Sequence, residues 1–423
     1  MYRKYIKTIH ATNDMYRICD FLYMLSSNEL RIQNDYVYFG FNSKIMINRY
    51  QLAFAEERLF QGKALIVYGP RQVGKTTFVE LLLKNIPNQK VLSLNGDDSD
   101  TRELLSKPNI TLLQSILGDS TLLFIDEAQR IENIGVLIKI IVDRIKNVQV
   151  IATGSSSFEL ANHINEPLTG RKYEMLLLPF SFQELVSNSD LITEKRRLNE
   201  RLIFGSYPEI VTKPAKSEEH LKLLTDSYLY KDIFTLDSVN KPQLLQKIVK
   251  ALALQVGSEV NINELAQLVK ADNKTVEKYI SLLEMAFVIF TLPAFSRNVR
   301  NEIKKGRKIY FYDNGILNSV IGNMAPIQKR TDIGALWENY LISERVKKQH
   351  QLQISSQNYF WRTSQQQEVD FIEETGIEMK AFEFKWNPKS KGKIPTTFTK
   401  NYPSAEPALI STDNYYEFLL HQY

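Results

Sequence analysis

The stretch "ALIVYGPRQVGKTTFVELLL", residues 64–83, constrains the fold of this chain more than any other. An apolar, β-prone run ends at Gly69, a short loop follows, and a helix is predicted to begin near Lys75. The G-x-x-x-x-G-K-T spacing therefore occurs between a strand and a helix. Its glycines let successive backbone amides point at phosphate oxygens, and the helix amino terminus adds partial positive charge. The pattern predicts a nucleotide phosphate site, with an ordinary glycine turn as the alternative.

Two polar side chains of this predicted phosphate site have expected roles. Lys75 should neutralise the β- and γ-phosphates of ATP, and the Thr76 hydroxyl should bind Mg²⁺. The residues expected to contact the nucleotide are Gly69, Pro70, Arg71, Gln72, Val73, Gly74, Lys75, Thr76 and Thr77.

Two acidic residues end a second apolar run, "TLLFIDEAQ". Carboxylates that follow a parallel strand emerge at the sheet edge where phosphates bind. Asp126 would hold Mg²⁺, directly or through water, and Glu127 would polarise the water that attacks the γ-phosphate. The two acids could also be mere surface charge. The buried-looking strand before them favours the catalytic interpretation.

Two further polar candidates follow along the chain. The run "VQVIATGSSS" ends in hydroxyl side chains, of which Ser155 is our preferred contact for the γ-phosphate and Thr153 the alternative. A turn or a helix cap explains such hydroxyls almost as well. Arg171, in "EPLTGRKYEMLLLPFS", could stabilise transition-state charge in its own subunit or in a neighbour within a homo-oligomer. A surface salt bridge is its structural alternative.

Residues 248–295 have the element order of a winged helix-turn-helix. A short helix, a turn at residues 271–273, a longer amphipathic helix and a β-prone run follow one another. Asn273 can cap the longer helix, and Lys274 and Lys278 would face outward, where they could contact DNA. Many such modules only pack against other domains, and this alternative stays open.

Basic segments also suggest a nucleic-acid partner. Residues 297–308 hold six basic residues and one acid, and "KWNPKSKGKIPTTFTK", residues 385–400, holds five lysines and no acid. Such stretches can follow a phosphate backbone. Solvated loops are the competing interpretation.

The segment "EVDFIEETGIEMKAFEFKW", residues 368–386, holds a second set of candidate groups. Glu383 and Lys385 are two residues apart in a strand-like run, so they point to the same face. Asp370 would arrive from the neighbouring strand. Alternating strands with charged outer faces also produce E-x-K by chance, so this pattern is weak by itself.

Taken together, these motifs resemble prokaryotic AAA-type P-loop ATPases that carry a carboxyl-terminal domain of unknown function with a restriction-endonuclease-like core. The resemblance covers about residues 46–400 and rests on "GPRQVGKTT", "LLFIDEAQ", "ATGSSS", "LTGRKYEMLLLPFSFQEL", "FGSYPEIV" and "EVDF…EFK". It implies that Asp370 and Glu383 bind Mg²⁺ and that Lys385 helps to activate water. Glu338, in "GALWENYLISERV", resembles the acid on the family's preceding helix and is a candidate further metal ligand.

The resemblance and the residue patterns together predict an α/β protein. Its parts would be an AAA-like P-loop NTPase parallel sheet, a helical lid, a winged helix-turn-helix and a restriction-endonuclease-like α/β domain. The expected boundaries are an amino-terminal extension at 1–45, the P-loop ATPase core at 46–180, the helical lid at 181–245, the winged-helix-like domain at 246–313 and the restriction-endonuclease-like domain at 314–423.

Composition sets the remaining limits. Hydrophobic residues at 43% and charged residues at 24% are ordinary for a globular protein, and a net charge of +5 on 423 residues says little about partners. The single cysteine, Cys19, excludes an internal disulfide and favours a reducing compartment. No apolar run approaches the roughly 18 residues that span a bilayer. We expect a cytoplasmic protein without a membrane partner.

The leading functional hypothesis is an ATP-hydrolysing protein coupled to a DNA-directed nuclease-like domain. The alternative is a nucleotide-gated scaffold whose carboxyl-terminal domain binds protein or DNA without cutting it, because nuclease-like folds also serve as binding platforms.

Overall fold

The computed structural model describes residues 47–107, 109–155, 168–226, 241–296, 306–390 and 392–420, and the backbone of two short strands near the amino terminus. These strands, β1 (Ile32–Gln33) and β2 (Tyr36–Val37), form an antiparallel pair. They belong to one compact unit, Met1–Ile47, and the rest of the chain, Asn48–Tyr423, forms another. Apart from these strands, the predicted extension at residues 1–45 lies outside the described residues.

A parallel five-stranded sheet forms the first part of the larger unit. Its strands are β3 (Ala64–Tyr68), β4 (Val91–Asn95), β5 (Leu122–Asp126), β6 (Gln149–Gly154) and β7 (Lys172–Leu176), in the spatial order β4-β5-β6-β3-β7. Its helices are α1 (Gln51–Arg58), α2 (Lys75–Asn85), α3 (Ser99–Leu105), α4 (Ile110–Leu117) and α5 (Ile134–Arg144).

Alternate residues of the central strands pack into separate cores on the two faces of this sheet. Ile66 and Ala152 belong to one core, and Leu65 and Ile151 belong to the other. Burial on both faces explains why these strands are continuous apolar runs in the sequence. The predicted α/β class with a P-loop parallel sheet is confirmed.

The segment after the sheet is helical, as its pattern predicted. It contains α6 (Phe182–Asn188), α7 (Leu191–Arg196), α8 (Leu198–Phe204), α9 (Pro208–Thr212) and α10 (Ser217–Leu224). Helix α6 begins with a capping box, because the Ser181 hydroxyl accepts from the Glu184 amide and the Glu184 carboxylate accepts from the Ser181 amide.

The next segment combines helices with a small antiparallel sheet of order β8-β10-β9. Its elements are α11 (Pro242–Leu254), β8 (Glu259–Val260), α12 (Ile262–Val269), α13 (Asn273–Met285), β9 (Ile289–Pro293) and β10 (Arg307–Phe311). Lys274 and Lys278 are exposed, as expected. The predicted cap was wrong by one residue. Asp272 is extended and accepts from the Thr275 amide at 2.8 Å, while Asn273 is already helical.

The final segment contains a mixed four-stranded sheet of order β11-β12-β13-β14. Only its β13–β14 pair is parallel. Its elements are α14 (Asn314–Ile321), α15 (Ile333–Leu352), β11 (Gln357–Arg362), β12 (Glu368–Thr375), β13 (Glu378–Phe384), α16 (Thr396–Asn401), β14 (Ala405–Ile410) and α17 (Tyr415–Leu420).

Helix α15 is buried along most of its length although it carries several charged side chains. The Arg345 guanidinium forms two hydrogen bonds with the Glu373 carboxylate, at 2.7 and 3.0 Å. Asn339 accepts from the Phe311 amide at 2.7 Å and donates to the Phe311 carbonyl at 3.1 Å, which ties α15 to β10. The helix therefore depends on polar partners from several other elements. Within the described residues, no helix is both long and apolar enough to cross a membrane.

Lys348 on α15 should make stability depend on pH. Burial, and next the Arg345 charge, lower the pKa of Lys348 to about 8, against the opposing influence of Glu373. The unfolded chain keeps an ordinary lysine pKa near 10.5, so it binds more protons than the folded chain between pH 8 and 10.5. Stability from this group therefore rises across that window.

We expect Lys348→Met to stabilise the protein at pH 7 by about 1–2 kcal/mol, since the cost of burying the charge disappears. This gain over the parent should shrink towards pH 10, and urea unfolding at both pH values measures it. Lys389→Met changes an exposed lysine and is the control. A gain that is equal at both pH values would contradict the assignment.

Candidate nucleotide site and carboxyl-terminal acid site

The loop between β3 and α2 requires glycine at its first position. Gly69 has a φ of 146°, and a Cβ atom there would lie 2.0 Å from the Leu177 carbonyl oxygen, just beyond β7. Gly74 has a φ of 90° and immediately precedes α2. A left-handed backbone and this close approach both exclude larger residues, which explains the glycine spacing.

The expected nucleotide contacts are grouped as the motif predicted. Gly69 to Gly74 form the loop, and Lys75, Thr76 and Thr77 form the first turn of α2. Lys75 is buried, and its Nζ donates to the Gly69 and Pro70 carbonyls, each at 3.0 Å. The lysine charge thus lies over the loop, where bound phosphate oxygens would replace those carbonyls.

Asp126 and Glu127 lie at the carboxyl end of β5, beside the loop. The Thr76 hydroxyl donates to the Asp126 carboxylate at 3.0 Å, so the two expected Mg²⁺ contacts adjoin each other. Glu127 has a φ of 48°, and its carboxylate accepts from the Gln129 side-chain Nε2. Hydroxyl and carboxylate oxygens are donors that Mg²⁺ prefers, and the pair therefore fits that ion.

Thr153, the alternative to the preferred Ser155, also contacts these two acids. Thr153 is fully buried at the end of β6, donates to the Asp126 carboxylate, and accepts from the Glu127 amide at 3.3 Å. Its strand is directly paired with β5, which explains the contact. Ser155 lies just beyond β6, and its role at the γ-phosphate stays a prediction.

Arg171 does not lie near the phosphate loop of its own chain. It precedes β7, and its carbonyl accepts from the Ala64 amide at the amino end of β3, whereas the loop follows the carboxyl end of β3. Five strand residues at about 3.3 Å each separate the two ends. The Arg171 guanidinium donates to Asp143 at 2.7 Å. This position gives action within the same subunit no support. Action on a neighbouring copy stays a prediction.

Asp370, Glu383 and Lys385 lie together at the carboxyl-terminal sheet. The β12–β13 pairing ends with Phe371 opposite Phe382, and Asp370 and Glu383 are the next residues on the two strands. Lys385 Nζ donates to Glu383 Oε1 at 2.6 Å, and the Phe384 amide donates to Asp370 at 2.8 Å. The Glu383 charge also acts on Asp370, so the two carboxylates are close neighbours.

The protonation of these groups is strongly coupled to their surroundings. Burial first, and then the charges of Glu338 and Glu383, raise the pKa of Asp370 well above its usual range, and Lys308 opposes this. Burial alone would lower the pKa of Lys385, but its hydrogen bond with Glu383 and the nearby acids raise it. Crowded acids therefore keep this lysine charged.

Lys308 contributes an unexpected positive charge to the same site. It lies on β10, is only 1% exposed, and its Nζ contacts Glu338 at 3.1 Å and also the Glu368 carboxylate. The Tyr310 hydroxyl donates to Glu338 at 2.6 Å. Glu338 is therefore held by a lysine and a tyrosine, which gives its expected role as a metal ligand no support.

Part of the predicted phosphate-binding stretch at residues 297–308 is instead structural. Arg307 contacts Glu277 at 3.4 Å, and Lys308 is buried among the acids. Residues 297–305 lie outside the described residues. Strand formation explains the change, because β10 pairs between β8 and β9 and turns Lys308 inward.

Two of the three matching family models have no described activity. An AAA domain matches residues 61–186, and two domains of unknown function, DUF8612 and DUF4143, match residues 195–326 and 333–418. These matches agree with the resemblance to prokaryotic AAA-type P-loop ATPases that carry carboxyl-terminal domains of unknown function.

Relatives of this AAA-type chain occur in distant organisms. An uncharacterized protein of Mycobacterium tuberculosis is 27% identical over 335 residues, which cover 77% of this chain and 71% of that protein. One of Methanocaldococcus jannaschii is 25% identical over 337 residues, covering 75% and 73%. The Walker-type ATPase paby2304 of Pyrococcus abyssi matches 65% of this chain and 96% of its own, at 16% identity and a TM-score of 0.42. A similarity that low carries no conclusion about this AAA-type protein.

Glu383 offers one further sign of cation binding. Its Oε2 is buried and has no hydrogen-bond partner within the described residues. In the same part of the chain, no group of three or more His, Cys, Asp or Glu side chains is arranged to hold a metal ion. The donor set thus fits a weakly held divalent cation with two carboxylates and water, which is a common arrangement for Mg²⁺.

The sequence analysis missed Lys308 as a member of this site. The apolar residues directly after it were the available signal, since they mark a buried strand that includes the lysine. Nothing in the sequence showed that its ammonium lies among acids that follow it by 30 or more residues.

We expect Lys308→Met to destabilise the protein in the presence of a chelator. Removing one partner from a buried charge cluster costs about 3–5 kcal/mol, because the remaining carboxylates lack a counter-charge. Mg²⁺ or Mn²⁺ should restore part of this loss. Urea unfolding with EDTA and with each metal provides the measurement.

Lys274→Met, at an exposed lysine, should change the free energy of unfolding by less than about 0.5 kcal/mol. If Lys308→Met is as stable as the parent in EDTA, the lysine is not the counter-ion of these acids.

Proposed function

We propose that the chain binds ATP at residues 69–77 and hydrolyses it with Mg²⁺. The observation that carries this proposal is the 3.0 Å hydrogen bond between Thr76 and Asp126, beside the phosphate loop. Magnesium supplies charge neutralisation to the phosphates when it is bound. We also propose a cytoplasmic location, because the single cysteine of the chain favours a reducing compartment.

Lys75, Glu127 and Thr153 have separate roles in the proposed hydrolysis. Lys75 binds the β- and γ-phosphates and offsets charge that develops in the transition state. Glu127 orients a water molecule and accepts its proton, while Gln129 holds the carboxylate. Thr153 holds Asp126 in place through its hydroxyl, so the ion contact is rigid before ATP arrives.

Arg171 would complete the site of a second copy in a homo-oligomer. Its position at the amino end of β7 and its partial exposure support this role. The hydrogen bond with Asp143 would hold the guanidinium until a neighbouring phosphate replaces it.

Lys75→Ala should abolish ATP hydrolysis, because it removes the charge that binds the phosphates. Glu127→Gln should bind ATP with nearly parental affinity and lower kcat by about 100-fold or more, since only proton transfer is lost. Phosphate release and titration with a fluorescent ATP analogue measure the two effects. Lys84→Ala, late in helix α2, is the control. Parental turnover in both site variants would refute the ATPase proposal.

We further propose that ATP turnover acts on a DNA-directed, nuclease-like carboxyl-terminal domain. Asp370 and Glu383 would hold a divalent cation, and Lys385 would stabilise charge on a phosphodiester. The shared face of these residues and the unpartnered Glu383 oxygen support the proposal. The exposed lysines Lys389, Lys393 and Lys400 provide charge for a nucleic-acid backbone.

A nucleotide-gated scaffold is the second candidate function. Lys308 already neutralises part of the acid cluster, and the described part of the chain has no group of three or more side chains that could hold a metal ion. A site whose negative charge is already partly neutralised could bind DNA or protein without cutting it.

Alanine at Asp370, Glu383 or Lys385 should eliminate metal-dependent cleavage of DNA and leave ATP hydrolysis within about twofold of the parent. Metal affinity should fall most for the two acids, because they supply the ligand oxygens. Cleavage of labelled DNA in Mg²⁺ or Mn²⁺, with and without ATP, tests this. Lys380→Ala, on the same strand, is the matched control. If the parent protein binds DNA but cuts none under any of these conditions, the nuclease proposal is wrong and the scaffold function remains.

A further inference from the structure

Arg49, just before α1, forms a hydrogen bond with the phosphate loop. Its Nη2 donates to the Val73 carbonyl at 2.6 Å, and its Nη1 donates to the Leu178 carbonyl at 2.9 Å. Val73 is the loop residue immediately before Gly74. Arg49 is 6% exposed, and the Phe180 ring lies 4.1 Å from the guanidinium carbon. A buried cation is therefore attached to the loop that would hold the phosphates.

The same guanidinium is paired with the amino terminus of α6. Arg49 Nη1 donates to Glu184 Oε2 at 3.1 Å, and Glu184 is fully buried. This carboxylate oxygen also accepts from the Ser181 amide at 3.1 Å, as half of the capping box of α6. The Tyr50 amide donates to the other oxygen at 3.3 Å. Arg49 and the first turn of α6 are thus one hydrogen-bonded unit.

Helix α15 holds this first turn from the opposite side. The Ser181 hydroxyl donates to Gln351 Oε1 at 2.7 Å, and the Phe182 amide donates to Glu344 Oε2 at 2.5 Å. Lys347 Nζ contacts Glu344 at 2.7 Å and the Ser206 hydroxyl at 3.0 Å. The carboxyl-terminal helix therefore supplies partners that the first turn of α6 needs.

Stability alone gives little reason for such a connection. Burial lowers the pKa of Arg49, against the opposing charge and hydrogen bond of Glu184, which reflects the cost of placing this cation in the interior. Apolar side chains of similar volume often serve stability as well as a buried ion pair does. An arginine can join a loop carbonyl, a second carbonyl and a carboxylate at once, because its donors have a fixed planar arrangement.

We propose that Arg49 is a positioning residue that transmits the nucleotide state of the phosphate loop through Glu184 and Ser181 to helix α15. The inference rests on the proposed ATP binding and names a regulatory route for the carboxyl-terminal acid site. When phosphates draw the loop amides towards them, the Val73 carbonyl moves and Arg49 moves with it. Packed interiors respond to such shifts by moving whole elements rather than by stretching.

The acid site lies within reach of this movement because α15 carries groups of both regions. Gln351 and Glu344 contact the first turn of α6, and Glu338 on the same helix contacts Lys308. Arg345 joins the helix to Glu373 on β12, the strand of Asp370. A shift of α15 therefore changes the positions of charges around Asp370.

Hydrogen exchange of the full chain, with and without a non-hydrolysable ATP analogue and Mg²⁺, tests the route. The parent should show a change on the order of fivefold in exchange rates within Ile333–Leu352 when the analogue is bound. Gln351→Ala should bind the analogue within about twofold of the parent and lose this response, because its contact with Ser181 is absent.

Gln349→Ala is the matched control on the same helix. Gln349 exchanges hydrogen bonds with Asn358, at 3.1 and 2.6 Å, inside the carboxyl-terminal segment. The Gln349→Ala variant should show the same change in hydrogen exchange of α15 as the parent when the analogue binds. If Gln351 is merely structural, Gln351→Ala and Gln349→Ala should show the same exchange response to the analogue. That result would overturn the route.

Two substitutions of Arg49 test its positioning role. Arg49→Gln should weaken binding of the analogue on the order of 10-fold and abolish the response of α15 even at saturation, since charge-assisted hydrogen bonds are lost. Arg49→Lys keeps the charge and should recover most of the affinity. It should not recover the response, because an ammonium cannot hold Val73 and Glu184 in the same fork.

The outcomes separate this inference from the proposed function. A parent that binds no nucleotide removes both. A parent that binds and hydrolyses ATP without any response in α15 removes the inference alone. If Arg49→Gln keeps the parental affinity and the parental response of α15, the inference is also overturned. If Arg49→Gln does not fold, the response of Gln351→Ala provides the test.

Discussion

The burial of helix α15 is the constraint on which much of the described structure depends. Its charged and amide side chains lie in the interior, where each unpaired group would cost several kcal/mol. Arg345 is matched by Glu373, and Asn339 by the backbone of Phe311. These partners come from separate segments, so the segments must assemble around the helix for its polar groups to be satisfied.

The same constraint explains why the carboxyl-terminal acids have unusual surroundings. Glu338 lies on α15, Asp370 on β12 and Lys308 on β10, so three elements of two segments bring charged groups to one place. The lysine offsets the repulsion between carboxylates, and burial keeps the pKa of Asp370 high. The cluster therefore depends on cations, either those of its own lysines or a divalent ion.

The geometry of the phosphate loop, unlike that of the acid cluster, is set mainly by residues close together in sequence. Gly69 and Gly74 are required by backbone angles and by one close carbonyl, so the motif largely specifies its own geometry. A further hydrogen bond joins it to Arg49, which lies outside the motif. A nucleotide site of this kind can therefore be recognised locally, although its connections cannot.

The sequence by itself determined the parallel sheet, the phosphate loop, and the position of Asp126 and Glu127 at the carboxyl end of a buried strand. Periodicity and glycine spacing act over a few residues, so they are visible in the chain. Tertiary structure alone decided that Arg171 lies away from its own loop, that Thr153 contacts Asp126, and that Lys308 is buried among acids. These contacts join residues far apart in sequence, and charge or polarity gives no sign of which distant partner a side chain meets until the strands have paired.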